Sequence, residues 1–210
     1  MTNADAADYA WADDWVDSVS QAYCLTLARD LTAEEFLMRM GAAPEMTCAG
    51  LAELSEATFR LWDAAPVRHL LIGVTTVPGR DADWALGLEV NGFLGVTPEI
   101  VTSLSAGTRV VSHYANAGMN RFYWLDDTDI RLHFEPLFPA DRMGAAPEAL
   151  TDVMRRVGFD LREDGDNTDG AVAATFALAE HLTGVRLTRD VLDDSVYACG
   201  IAAFPGLSRR

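Results

Sequence analysis

Apolar residues in the first third of the chain recur every three to four positions, which is the period of an amphipathic helix. Trp15, Val19, Tyr23 and Leu27 follow this spacing, with acidic and polar residues between them. A capping box at Thr32 and later apolar positions of the same period continue the pattern. We therefore expect residues 5–64 to be helical.

The period changes to two in the middle of the chain, as expected for β-strands. Alternating or continuous apolar runs predict five strands at 67–77, 84–91, 108–115, 121–126 and 130–137. A helix is inserted at 97–106 because Thr97-Pro98 is a helix start, and helical spacing returns over 147–203. The three last strands are separated by hairpin-length links. We therefore predict one α+β domain over residues 1–210, with a short, largely antiparallel five-stranded sheet flanked by N-terminal and C-terminal helices.

Alternation also sorts the strand residues onto two faces. Each of four strands has a largely apolar face and one that carries His, Arg, Tyr, Glu or Asn. If the polar sides coincide, they form one candidate binding face of eight residues: Glu89, Asn91, His113, Arg121, Tyr123, Arg131, His133 and Glu135.

Two interpretations of this face stay open. Arginine forks bind carboxylate or phosphate, histidine moves protons near neutral pH, and glutamate orients both. However, an antiparallel sheet with one solvent-exposed face carries the same residues without any function. No residue is assigned a catalytic role.

The charge pattern adds a second feature. The net charge is −16, and every one of the 16 basic side chains is arginine. Residues 1–66 hold 3 arginines against 12 acids and residues 143–210 hold 7 against 11, whereas residues 67–142 hold 6 against 9. This acidity disfavours nucleic acid, whose phosphates need a basic footprint. It favours a basic protein partner, because acidic surfaces steer such partners towards the protein.

Other classes of function find no support in the sequence. The familiar nucleophile, nucleotide and zinc motifs are absent, and the Asp164–Gly170 stretch departs from the spacing of a calcium loop. We therefore expect no metal and no cofactor. The N-terminus lacks a basic segment ahead of an apolar run, and no apolar run approaches the length of a membrane span, so we expect a cytoplasmic protein without membrane contact.

Several segments resemble a known family. They are Trp84–Gly95, Arg109–Asn116, Phe122–Asp126, Phe134–Phe138 and Leu182–Leu187. Together they resemble an unannotated domain-of-unknown-function family of high-GC Gram-positive bacteria, over most of the chain from about Ala22. The resemblance implies a compact bacterial cytoplasmic protein and transfers no catalytic residues.

The segment Glu89–Gly92 also resembles the Asn-Gly turn of immunity-type proteins that neutralise partner toxins. Because the flanking segments are strongly acidic and no catalytic motif is found, the first hypothesis is a non-catalytic protein-binding or immunity-like module of the bacterial cytoplasm, whose acidic surface steers a basic partner. The alternative is a small-molecule-binding protein or enzyme that holds a small anionic ligand on the His/Arg/Glu face of the sheet.

Overall fold

A sheet of eight antiparallel strands runs through the structure, a computed structural model that describes residues 3–19, 22–66, 68–204 and 206. The strands are β1 (Ala22–Arg29), β2 (Ala42–Ala49), β3 (His69–Pro78), β4 (Asp83–Val90), β5 (Arg109–Asn116), β6 (Met119–Asp126), β7 (Asp129–Phe134) and β8 (Val196–Ala203). Their order across the sheet is β2-β8-β3-β4-β1-β5-β6-β7. Strands from both ends of the chain therefore lie inside the sheet.

Helices cover both faces of this sheet. They are α1 (Trp11–Ser18), α2 (Ala33–Arg39), α3 (Gly50–Ala64), α4 (Pro98–Leu104), α5 (Thr151–Val157), α6 (Ala171–Thr183) and α7 (Arg189–Asp194), with 3₁₀ turns at Ala6–Tyr9 and Leu94–Val96. One core cluster joins the sheet to α1, α3, α5, α6 and α7, and we call this face of the sheet face A. The opposite face, face B, packs against α2, α4 and the turn Leu94–Val96. The α+β class and the antiparallel sheet are confirmed.

The predicted number of five strands is wrong, because β1, β2 and β8 were assigned to helical segments. Tyr23 and Leu27 happen to continue the helical spacing of α1, but both belong to β1, where seven consecutive residues are buried. A strand covered on both faces reads as a continuous apolar run, so period alone cannot separate it from a buried helix. The helical predictions for 5–64 and 147–203 are therefore interrupted by strands.

Strand β2 was missed for a different reason. It is an edge strand, its residues 43–47 are exposed, and it contains Pro44 next to a bulge in its pairing with β8. Proline and bulges are common devices at sheet edges, where they hinder pairing with a further chain. A proline within a short alanine-rich segment argues against a strand when only the sequence is read.

Helix α6 is the centre of the packing on face A. Ten of its residues are buried, and Phe176 contacts the rings of Tyr9, Trp11, Trp15 and Tyr23 with centroid separations of 5.5 to 6.3 Å. A helix that is apolar on all sides belongs in the interior. Its alanines let the neighbouring helices approach closely, which brings the acidic α1 next to the beginning of α6.

No helix in the described ranges combines the length and the apolar character that crossing a membrane requires.

Face B depends on a close contact between α2 and the sheet. A Cβ atom at Gly87 would lie 2.4 Å from Cζ of the fully buried Phe36, whereas a Cβ at Gly118 would have no atom within 4 Å.

We expect Gly87→Ala to lower the free energy of unfolding by about 1–3 kcal/mol, since Phe36 must move within a packed core. Urea denaturation measures the change. The matched Gly118→Ala variant should stay within about 0.5 kcal/mol of the wild type; equal effects of the two substitutions would contradict this packing.

Candidate functional site

Polar side chains cross face B in two neighbouring rows. Residues that pair across antiparallel strands share a face, so the pairings of β4, β1, β5, β6 and β7 define each row. The first row is Glu89, Cys24, Tyr114 and Arg121, and the second is Gly87, Thr26, Ser112, Tyr123 and His133. Glu135, which directly follows β7, extends the first row because it forms an ion pair with Arg121. We call these residues the polar rows.

Five of the eight predicted face residues lie in the polar rows: Glu89, Arg121, Tyr123, His133 and Glu135. The other three do not, and the expectation of one shared face is wrong for them. Whether the face binds a ligand stays a prediction.

His113 lies on face A. It pairs with Leu25 and Phe122, which point towards α6, and its ring centroid is 4.7 Å from that of Phe176. Its Nδ1 is 3.0 Å from the Tyr23 hydroxyl, and burial lowers the pKa of the imidazole to about 3. Alternation within β5 separates two sets of side chains but does not show which set shares a face with Arg121 and Tyr123. The prediction chose the set that contains His113, whereas the pairing with β6 selects Ser112 and Tyr114.

Arg131 and Asn91 leave the face for local reasons. The pairing of β6 and β7 shifts between Trp124 and Leu125, so Arg131 becomes the extra residue of a bulge and its guanidinium lies 6.0 Å from the Trp124 ring centroid. Asn91 lies beyond the end of β4 and has a φ of 54°, which is typical of a turn.

The part of the polar rows on β4, β1 and β5 is sealed by the turn Leu94–Val96. The Glu89 carboxylate accepts hydrogen bonds from the amides of Leu94 and Gly95, each at 2.9 Å. A Cβ at Gly95 would lie 1.9 Å from Oγ1 of Thr26, so only glycine permits this approach. The hydroxyls of Thr26 and Ser112 are themselves 2.8 Å apart. These groups satisfy one another and hold the turn on the sheet.

Burial also sets the protonation of this sealed part. It raises the pKa of Glu89 to about 7, although the amides of Leu94 and Gly95 act in the opposite direction. Burial likewise raises the pKa of the Cys24 thiol well above its usual range. A thiol that stays protonated is a poor nucleophile.

The part on β6 and β7 is partly open to solvent. Arg121 forms an ion pair with Glu135, and the ring of Tyr123 stacks on His133 with centroids 5.2 Å apart and planes 8° apart. Glu135 also accepts a hydrogen bond from the amide of Asn120 at 2.8 Å. Partial burial lowers the pKa of His133, and the nearby Arg121 adds to this effect. The charges of this open cluster are thus largely balanced within it.

Sequence reasoning missed the members of the rows on β1 and β5, namely Cys24, Thr26, Ser112 and Tyr114. Those on β1 were hidden by the assignment of that segment to a helix. Ser112 and Tyr114 on β5 flank His113 in sequence and therefore lie on the opposite face of the strand. The correct register between β5 and β6 would have identified them.

A second candidate region lies where α1 and the beginning of α6 meet the turn between β5 and β6. A groove of about 490 Å³ runs between α1 and the beginning of α6. Its charged lining residues are Asp13, Asp14 and Asp169, and Val16 and Val172 contribute half-buried apolar surface. We call it the acidic groove. Three carboxylates and two valines in one lining complement an arginine or lysine side chain chemically, because such a side chain has an aliphatic stem and a cationic end.

Metal ligation has no counterpart in the described part of the chain, where no group of three or more His, Cys, Asp or Glu side chains is arranged to hold an ion. Asp166 near the start of α6 instead accepts a hydrogen bond from the amide of Thr168 at 2.9 Å.

The raised pKa of Glu89 predicts a specific pH dependence. The folded protein keeps a proton on Glu89 between its ordinary pKa of 4.5 and about 7, whereas the unfolded chain has lost it. The stabilisation is therefore fully present below pH 4.5 and is lost as the pH rises through 7. Between pH 4.5 and 8 we expect the wild type to lose roughly 3 kcal/mol of unfolding free energy relative to Glu89→Gln.

Denaturant unfolding of both proteins across this pH range measures the difference. The comparison cancels the contribution of His113, which both proteins retain. The exposed Glu34→Gln variant serves as a control and should parallel the wild type. If the difference in unfolding free energy between the wild type and Glu89→Gln stayed constant from pH 4.5 to 8, Glu89 would ionise normally in the folded state.

Comparison with known proteins identifies a family without supplying a function. No curated protein matches the chain, and no solved structure matches it. The model of one family covers residues 2–206, nearly the entire length. This confirms the expectation of an unannotated domain. The chain belongs to the family of unknown function DUF6461.

Proposed function

We propose that this chain is a single-domain, non-catalytic binding module of the bacterial cytoplasm that recognises a basic partner protein through the acidic groove. The observation that carries the proposal is the chemistry of the groove, whose lining combines the carboxylates of Asp13, Asp14 and Asp169 with the half-buried side chains of Val16 and Val172. An immunity protein, which binds and neutralises a basic toxin, is one example of such a module.

The overall charge supports the same function. A net charge of −16 attracts a basic partner over a distance of about one Debye length, which raises the association rate at low ionic strength. The groove then supplies a local contact, because an arginine or lysine stem can pack on Val16 and Val172 while its charge meets the carboxylates. Long-range attraction and local fit thus favour the same kind of partner.

The state of the reactive side chains is a further argument for binding over catalysis. Glu89, Cys24 and His113 have perturbed pKa values, as catalytic groups often do. All three are fully buried, and Glu89 and His113 are each engaged by a neighbouring group. Their burial suits a role in holding the sheet and its covering turn together.

The alternative is that a small anionic ligand binds the open cluster of Arg121, Tyr123, His133 and Glu135. The exposure of the Arg121 side chain, which is 39 %, favours this alternative because a ligand could reach the guanidinium. Against it, Glu135 already neutralises this guanidinium, and Tyr123 already occupies one face of the His133 ring. A ligand would have to displace these contacts, so the acidic groove is the better candidate.

A charge-neutralising variant of the groove tests the proposal. Fluorescence anisotropy would compare the wild type with Asp13→Asn/Asp14→Asn/Asp169→Asn in binding a labelled ten-residue peptide of alternating arginine and serine. We expect about a tenfold loss of affinity, since each exposed charge contributes a few tenths of a kcal/mol to one kcal/mol. Wild-type binding should weaken markedly as sodium chloride is raised from 50 to 300 mM.

The matched control removes three exposed acids outside the groove, as Glu34→Gln/Glu45→Gln/Asp63→Asn. This variant makes the same change in net charge but leaves the carboxylates of the groove in place. Because the local contacts with the peptide are kept, we expect it to reduce the affinity less than twofold. Equal losses in the two triple variants would mean that only the overall charge matters. Binding that ignores ionic strength would also contradict the proposal.

A further inference from the structure

A small cavity lies at the end of the adjacent strands β1 and β5 where Arg29 and Arg109 stand, whereas the acidic groove is lined by Asn116 at the opposite end of β5. It has a volume of about 50 Å³ and is lined by Arg29, Arg109, Asp81, Trp84 and Thr183, among others. The two arginines also line a wider cleft of about 550 Å³. One water molecule needs a cavity of only about 15 Å³, so the space admits a small polyatomic group.

The register of the strands brings the two arginines together. Ala28 pairs with Val110, and the next position of this antiparallel pair sets Arg29 opposite Arg109. Both side chains alternate with residues of the face A core, so both emerge on face A. Like charges directly opposite each other on adjacent strands are destabilising. A bound anion between them would convert this repulsion into attraction.

The arginines retain unused hydrogen-bond donors. Arg109 donates from Nε and Nη2 to Asp126 at 2.7 and 3.3 Å, which leaves Nη1 for another acceptor. The Nε of Arg29 is buried and lacks a hydrogen-bond acceptor among the described residues. Asp30 Oδ2 lies 3.3 Å from this nitrogen, yet it is outside hydrogen-bond geometry. A buried donor without an acceptor is costly, and a ligand oxygen would relieve that cost.

We propose that Arg29 and Arg109 form a binding site for an oxyanion, the phosphate or carboxylate group of a small ligand. Planar guanidinium groups present paired N–H donors that match the two oxygens of such a group. Asp81, an exposed residue, is the one acid among the described residues that line the small cavity. Asp30 and Asp126 pair with the two arginines and line the wider cleft. The donors offered to an oxyanion are therefore the nitrogens that these acids leave without an acceptor, Nε of Arg29 and Nη1 of Arg109. The larger cleft holds the remainder of the ligand. This proposal is independent of the acidic groove.

Isothermal titration calorimetry with inorganic phosphate, and separately with acetate, tests the site at constant ionic strength. We expect saturable binding of phosphate to the wild type and a loss of affinity of about tenfold or more in Arg29→Gln, because a charge-assisted contact is removed. The control is Arg60→Gln on α3, whose side chain is 70 % exposed and paired with Glu56. Its affinity should stay within about twofold of the wild type.

Arg29→Lys keeps the charge but removes the fork, so it should bind with intermediate affinity and replaces the glutamine variant if that fails to fold. Binding of phosphate alone supports a phosphate-bearing ligand, and binding of acetate as well supports the wider oxyanion class. Acetate alone supports a carboxylate ligand. The proposal is overturned if neither ion binds the wild type, or if substitution of Arg29 leaves the affinity unchanged.

Discussion

The pairing of β1 with β5 inside the sheet is the constraint on which the other features depend. In this register Leu25 faces His113 and Cys24 faces Tyr114. Because opposite residues share a face, one pairing decides which side chains meet α6 and which lie beneath the turn Leu94–Val96. The same register sets Arg29 beside Arg109 at the end of the strands. A shift by one residue would exchange all of these positions.

This separation of faces has consequences for function. Face A buries an aromatic cluster around Phe176, and α1 and the beginning of α6, which cover this face, line the acidic groove. Face B buries Glu89 and Cys24, whose polar atoms meet a covering turn and not an open pocket. Glu89 and Cys24 are therefore buried in the packing of face B, whereas the carboxylates of Asp13, Asp14 and Asp169 in the groove are exposed. This distribution supports the proposed recognition of a cationic partner.

Much of the fold could be predicted where local signals are strong. Alternation in β6 and β7 correctly placed Arg121 and Glu135 together, and the capping box at Thr32 begins α2 as expected. Strand β1 could not be recognised, because a strand buried on both faces loses the alternation that would reveal it. The face of His113 could not be derived either, since it depends on pairing between strands and not on the sequence of one strand.

The most direct test of this account is nuclear magnetic resonance of the His113 ring. Its protons should show nuclear Overhauser effects to Phe176, whose ring centroid is 4.7 Å away. Burial lowers its pKa to about 3, so the imidazole should remain neutral from pH 8 down to about pH 4. An imidazole that titrates near 6.5 and shows no contact with Phe176 would place His113 on the opposite face and contradict the register.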